Sequence, residues 1–164
     1  MNAPNAPLFL VYGYSGAGKS TTFTNVGQAL GRGFTVYDMD LIVVNEQYQE
    51  ACNNWLLIAY INYLCGNHTI LFGSVPYGYN LELSEHILLF NPIHKLLLHC
   101  NESTRIERLT ARGGWSEELI HKGLAASRDL YTSALDSNIP IIDTTNTPVQ
   151  DVAHQIKEWV LSKV

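Results

Sequence analysis

Short, largely apolar runs recur along the chain at Leu8–Tyr12, Phe34–Asp38, Thr69–Gly73, Lys95–His99 and Ile139–Asp143. They are brief and mostly continuous rather than alternating, the pattern of parallel strands covered on both faces. Longer segments of helical character lie between them. The first runs from Ser20 to about Leu30 and is stopped by Gly31-Arg32-Gly33. A helix start is expected near Asp40, which could cap it. Residues 51–65 are apolar nearly all round and read as a buried helix. Leu81–Phe90 reads as a short helix, Ser103 to about Arg112 as another, and a third runs from Ser116 to about Leu135 after Gly113-Gly114. A closing helix, Val149–Ser162, places Val152, Ile156, Trp159 and Val160 on one face.

Strands alternating with helices predict an α/β fold with a parallel sheet. The 164 residues fit one domain, with a Pro- and Asn-rich tail over residues 1–7. In such a sheet the loops at the carboxyl ends of the strands build the site. One of those loops is Gly13-Tyr14-Ser15-Gly16-Ala17-Gly18-Lys19-Ser20, which fits G-x-x-x-x-G-K-[ST], the phosphate-binding P-loop, in its proper strand–loop–helix setting. Glycines let the backbone N–H groups curl around an oxyanion, and the following helix adds its positive end. Gly13, Ser15, Gly16, Ala17, Gly18, Lys19, Ser20 and Thr21 are therefore the candidate phosphate-binding set. Lys19 can reach the β- and γ-phosphates of a nucleotide, and the Ser20 hydroxyl can ligate Mg²⁺.

Asp38-x-Asp40 ends the second strand beside that loop. Phosphoryl transfer needs a carboxylate near Mg²⁺ and often a second near the attacking hydroxyl. Arg105, Arg108 and Arg112 recur at helical spacing just before Gly113-Gly114, so about 105–118 is a candidate lid that closes guanidinium groups over phosphates. The net charge of −5 and pI near 5.6 disfavour a non-specific nucleic-acid binder. The N-terminus lacks a secretory pattern and no apolar run is long enough to span a membrane, so a cytoplasmic location is expected. Cys52, Cys65 and Cys100 show no metal or disulfide spacing and read as reduced thiols. The six histidines form no H-x-x-x-H set, which leaves Mg²⁺ as the expected metal.

Together the P-loop, Asp38-x-Asp40, the Arg105–Arg112 helix with its Gly-Gly break, the stretch from Arg128 to Ala134 and Ile141-Ile142-Asp143-Thr144 resemble the small P-loop kinases: the shikimate, gluconate, adenylate and other nucleoside-monophosphate kinases. The resemblance implies a five-stranded parallel sheet of order 2-3-1-4-5, ATP and Mg²⁺, a lid, and phosphoryl transfer to a small acceptor. It implies that Ser20 and Asp38 hold Mg²⁺, Asp38 through water, and that Asp40 contacts or deprotonates the acceptor hydroxyl. Arg108 is implied to lie against adenine, Thr144 and its loop to border the base, Arg112 to be the lid arginine, and Arg128 to face the acceptor or the transferring phosphate.

The sequence departs from those kinases on the acceptor side. Between Asp40 and Asn101 there is no arginine and one lysine, Lys95, whereas the region holds Glu46, Glu50, Glu82, Glu85 and many aromatics. A buried anion without a cationic partner is expensive. The expected acceptor is therefore a neutral or cationic hydroxyl compound: a nucleoside, a sugar-like alcohol or an amino-bearing metabolite. A nucleoside-monophosphate kinase, with Arg128 and the lid arginines sharing the phosphates, is the alternative, and a kinase-derived nucleotide-binding regulatory module is a further one. The motifs of GTPase switches and of remodelling ATPases are missing. Beyond ATP and a small acceptor no partner is expected, and the protein is expected as a monomer or homodimer.

Overall fold

The computed structural model describes residues 5–164. In chain order the elements are β1 (Ala6–Tyr12), α1 (Lys19–Leu30), β2 (Phe34–Asp38), a 3-10 turn (Met39–Ile42), α2 (Tyr48–Leu64) and β3 (His68–Gly73). Two further 3-10 turns (Leu81–Leu83 and Glu85–Leu89) lead to β4 (Phe90–His99), α3 (Glu102–Arg112), α4 (Glu117–Asp136), β5 (Ile141–Asp143) and α5 (Val149–Leu161). The five strands form one parallel sheet of order β2-β3-β1-β4-β5, as the resemblance implied.

The central strand explains its own sequence. Leu8, Leu10 and Tyr12 face one hydrophobic core with α2 and α4, while Phe9 and Val11 face the other with α1 and α5. Both faces are covered, so a continuous apolar run is required rather than an alternating one. The strand ends place Tyr12 beside Gly73 on one side and Leu97 on the other, which sets the P-loop in the middle of the carboxyl edge.

Several boundaries differ from the sequence reading. Of the tail expected over 1–7, the first four residues lie outside the described region. Ala6 and Pro7 belong to β1, where Ala6 pairs with Phe90 and is buried. Leu81–Phe90 is not an α-helix. The Asn80 and Ser84 side chains each accept a backbone N–H two residues on, which closes two separate 3-10 turns. β4 starts at Phe90, earlier than expected, and accommodates Pro92 at a register shift against β1, where a missing N–H is tolerated. The helix expected near Asp40 is only the turn Met39–Ile42. α2 is buried on one side alone, and its Leu57, Ile61 and Leu64 remain exposed.

At the amino-terminal half of the sheet, Phe9 lies between His94, stacked at 5.0 Å, and His68, edge-on at 6.1 Å. His94 Nε2 and His68 Nδ1 are buried without a hydrogen-bond partner. Burial, and secondarily the charge of Lys163, push His94 below its ordinary value of 6.5. The unfolded chain therefore takes up that proton first, and the stability this site contributes is complete above the ordinary value and drains away as pH falls beneath it. The urea midpoint is expected to fall between about pH 7.5 and about pH 5.5, and His94→Phe is expected to flatten that fall. An unchanged slope in the variant would place the acid sensitivity elsewhere.

Candidate active site

The P-loop is folded tightly against the sheet. A Cβ on Gly13 would lie 2.5 Å from the Leu98 carbonyl oxygen of β4, so only glycine allows this approach. Gly16 and Gly18 take left-handed φ values of 84° and 94°, which glycine adopts without strain. The six carbonyls from Gly13 to Gly18 all accept hydrogen bonds. Lys19 Nζ donates to Gly13 O at 2.7 Å and to Tyr14 O at 3.4 Å, and Ala17 N–H also reaches Tyr14 O. Arg105 donates to Ser15 O, and Arg108 donates to Gly16 O at 3.0 Å. The Thr144 hydroxyl donates to Ala17 O at 2.9 Å, and those of Thr21 and Thr22 donate to Gly18 O. α1 then begins at Lys19 with no side-chain cap, so its first N–H groups remain free for an anion.

Burial is the main cause that lowers Lys19 to about 8; Asp40 and Asp38 hold it up, while Arg105 and Arg112 push it down. A polyanion in the loop would restore its full charge.

The carboxylate side is built by β2 and the turn after it. Asp38 is buried, and its Oδ2 accepts the Ser20 hydroxyl at 3.0 Å. Its Oδ1 accepts the Asp40 N–H at 3.1 Å. Met39, between the two acids, plunges into the core. Trp55 Nε1 donates to its carbonyl at 2.8 Å, and its sulfur sits 2.5 Å from where a Cβ on Gly73 would be. That anchor leaves Asp40 exposed on the cavity rim. The Tyr79 hydroxyl donates to Asp40 Oδ1. Burial first, and then this bond, raise the Tyr79 phenol far above its ordinary value.

The opposite side is built by α3 and the loop after β5. Arg105 is 1% exposed beneath the P-loop. Arg108 reaches Thr144 twice as well as Gly16, to the hydroxyl at 3.1 Å and to the carbonyl at 2.7 Å. Thr144 N–H donates to His99 O at 2.7 Å, so the loop after β5 is tied to both the P-loop and β4. Together these parts enclose a cavity of about 400 Å³. Ser15, Gly16, Gly18, Lys19, Ser20 and Thr21 line it, as do Asp40, Arg108, Arg112 and Thr144. Gly13, Ala17 and Asp38 stand directly behind.

Arg128, expected to face the acceptor or the transferring phosphate, is not among the residues that line the cavity. The buried stripe of α4 runs through Gly123, Leu124 and Ser127, and exposed Arg128 turns away to pair with Glu102 at 3.2 Å. Within the stretch expected as a lid, about 105–118, Arg105 and Arg108 hydrogen-bond to P-loop carbonyls, and 113–116 joins α3 to α4. Within that connection Trp115 packs against Leu109, Ile120 and Leu124. Tyr79 was not singled out in the sequence, and Arg105, read there as one of the lid arginines, lies under the P-loop. The i, i+3 spacing of Arg105 and Arg108 was visible, but nothing local said that Arg105 points inward, and no sequence signal joins Tyr79 to Asp40 across 39 residues.

No family model and no curated protein sequence matches the chain. Its structure is similar to that of the Deinococcus radiodurans tunicamycin resistance protein, with 16% identity, 94% of this chain and 95% of that chain covered, and a TM-score of 0.65. An unliganded sugar kinase from Janibacter sp. HTCC2649 gives 17%, 96% and 95% coverage, and 0.62. Shikimate kinase from Acinetobacter baumannii, in complex with shikimate, gives 17%, 98% and 95%, and 0.55. The chain has the fold of the small P-loop kinases.

The close approach of Gly13 to β4 makes a sharp prediction. Gly13→Ala forces the loop off the Leu98 carbonyl, with an expected loss of about 1–3 kcal/mol in urea unfolding. ATP affinity by calorimetry is expected to fall at least about tenfold. Gly27→Ala, in the interior of α1 where a Cβ makes only ordinary contact with Val36 at 3.7 Å, is expected to stabilise by about 0.5–1 kcal/mol. Equal tolerance of both would show that the packing against Leu98 does not govern the loop.

Proposed function

We propose that this protein transfers the γ-phosphoryl group of ATP to a hydroxyl of a small neutral or cationic metabolite: a nucleoside, a sugar-like alcohol or an amino-bearing compound. The observation that carries the reading is the placement of Asp40 on the rim of the phosphate cavity, where among the described residues the segment between Asp40 and Asn101 adds no arginine or lysine to Lys19, Arg108 and Arg112. Lys95, the lone cation between Asp40 and Asn101, is exposed midway along β4 and aligned with Leu10 of β1, away from the carboxyl edge of the sheet. Arg128, the other candidate clamp for an acceptor anion, is engaged with Glu102 at the surface. An anionic acceptor would meet the Asp40 carboxylate with no cation besides those assigned to the nucleotide phosphates, which is unfavourable in a partly desolvated cleft.

In this reading the free N–H groups at the start of α1 and Lys19 bind the phosphates and neutralise the charge that develops on transfer. Arg108, Thr144 and the loop after β5 form the nucleotide side, and Arg112 at the end of α3 approaches the phosphates from above. Ser20 and Asp38 offer hydroxyl and carboxylate oxygens to one point, a donor set that suits Mg²⁺. Bound there with the nucleotide, Mg²⁺ supplies charge neutralisation at the phosphate oxygens. Asp40 accepts the hydrogen bond of the acceptor hydroxyl and orients its oxygen in line with the γ-phosphorus. The bond from that oxygen to phosphorus forms, the bond to the β-phosphate oxygen breaks, and the hydroxyl proton passes to Asp40.

The test is phosphotransfer from radiolabelled ATP across nucleosides, sugars, amino sugars, aminoglycosides and nucleoside monophosphates. A neutral or cationic acceptor is expected to be labelled. Lys19→Ala is expected to lower turnover at least about a hundredfold. Asp40→Asn is expected to lower kcat by about a hundredfold or more with ATP affinity unchanged. Preference for a monophosphate would replace this reading by a nucleoside-monophosphate kinase. ATP binding without any labelled acceptor would favour a regulatory module.

A further inference from the structure

The geometry points to Tyr79 as a positioning residue for the proposed transfer: its hydroxyl holds Asp40 so that Oδ2 faces the acceptor hydroxyl. The inference rests on the phosphotransfer reading and adds the residue that makes Asp40 usable. Asp40 sits exposed on a single 3-10 turn, where a short carboxylate would otherwise sample several rotamers. Its backbone N–H is fixed by Asp38, but its side chain has one partner among the described residues, the Tyr79 hydroxyl on Oδ1. Oδ2 is left without a protein donor.

Tyr79 is itself held firmly. It is 1% exposed, with its ring edge-on to Tyr48 at 5.5 Å. The residue after it is clamped twice by α2: Gln49 Oε1 accepts the Asn80 N–H at 3.0 Å, and Gln49 Nε2 donates to the Asn80 carbonyl at 2.9 Å. The residue before it, Gly78, takes a φ of 86° with Tyr48 Cγ 3.1 Å from the position of a Cβ, so the loop turns sharply there. Beyond that turn Tyr77 leans on Tyr14 of the P-loop at 5.2 Å. One loop thus sends Tyr77 to the P-loop and Tyr79 to the acceptor-side carboxylate.

The contact also settles a competition. Lys19 feels the charge of Asp40 more than that of any other acid, yet the two form no ion pair among the described residues, and Lys19 Nζ stays on Gly13 O. A released Asp40 can swing toward the lysine, where it would meet incoming phosphate with like charge. The Tyr79 hydroxyl holds it on the acceptor side instead.

The experiment pairs crystallography with a double-mutant cycle. Tyr79→Phe keeps the ring and removes only the donor. In crystals of the ligand-free protein, Asp40 is expected in one rotamer in the wild type and in several, or turned toward Lys19, in the variant. With the acceptor found by the screen, Tyr79→Phe is expected to lower kcat about tenfold with the ATP dissociation constant unchanged, and to cost less than about twofold in the Asp40→Asn background. A single unmoved Asp40 rotamer in Tyr79→Phe overturns the proposal without touching the kinase reading. So does an equal loss from Tyr79→Phe in both backgrounds, which marks a purely structural residue. A wild type that phosphorylates no acceptor overturns the kinase reading, and the positioning role falls with it whatever the rotamers show.

Discussion

The binding loop depends on one constraint: its carbonyls must all be turned away from the ligand. A backbone segment offers as many acceptors as donors, and an anion can be bound only where the donors face it and the acceptors do not. Here each carbonyl from Gly13 to Gly18 accepts a hydrogen bond, from Ala17 and Lys19 of the loop, from Thr21 and Thr22 of α1, or from Arg105, Arg108 and Thr144. Three of these seven donors, Arg105, Arg108 and Thr144, come from elements remote in sequence. The helix α3 and the loop after β5 therefore serve the P-loop as a scaffold.

That scaffold stores positive charge in a place that disfavours it. Arg105 is buried and donates to the Ser15 carbonyl, and burial lowers its affinity for a proton. Lys19 is lowered further, to about 8. A polyanion beside these groups would offset both effects, which adds a favourable contribution to the phosphate binding proposed for this loop. The same logic explains why Arg108 is tied to Thr144: a guanidinium with fixed partners on one side presents its remaining edge without a large entropy loss.

The rim that holds Asp40, the proposed acceptor side, follows a different design. Aromatic rings pack edge to face, Tyr79 on Tyr48 and Tyr77 on Tyr14, and give stiffness without charge. Asp40 is the charged group on this rim, and it is oriented by a phenol rather than by a cation. A guanidinium partner would neutralise the carboxylate and attract anions, whereas a phenol holds it in place and leaves its charge intact.

The sequence alone determined the α/β class, the strand order through its family resemblance, the P-loop and the pair Asp38-x-Asp40. These are legible because they are local: a buried parallel strand must be continuously apolar, and a phosphate cradle must have glycines at fixed offsets. It did not determine which face of a helix turns inward. Arg105, Arg108 and Arg112 share a helix and a spacing, yet the first is buried under the loop, the second bridges to Thr144 and the third stands at the cavity edge. Arg128 of α4 pairs with Glu102 at the surface, while Gly123 of the same helix packs against Tyr14 of the P-loop. Tyr79 reaches Asp40 only because parallel strands bring the loops after β2 and β3 to the same edge. Such choices depend on contacts between residues far apart in the chain, and only the tertiary structure decides them.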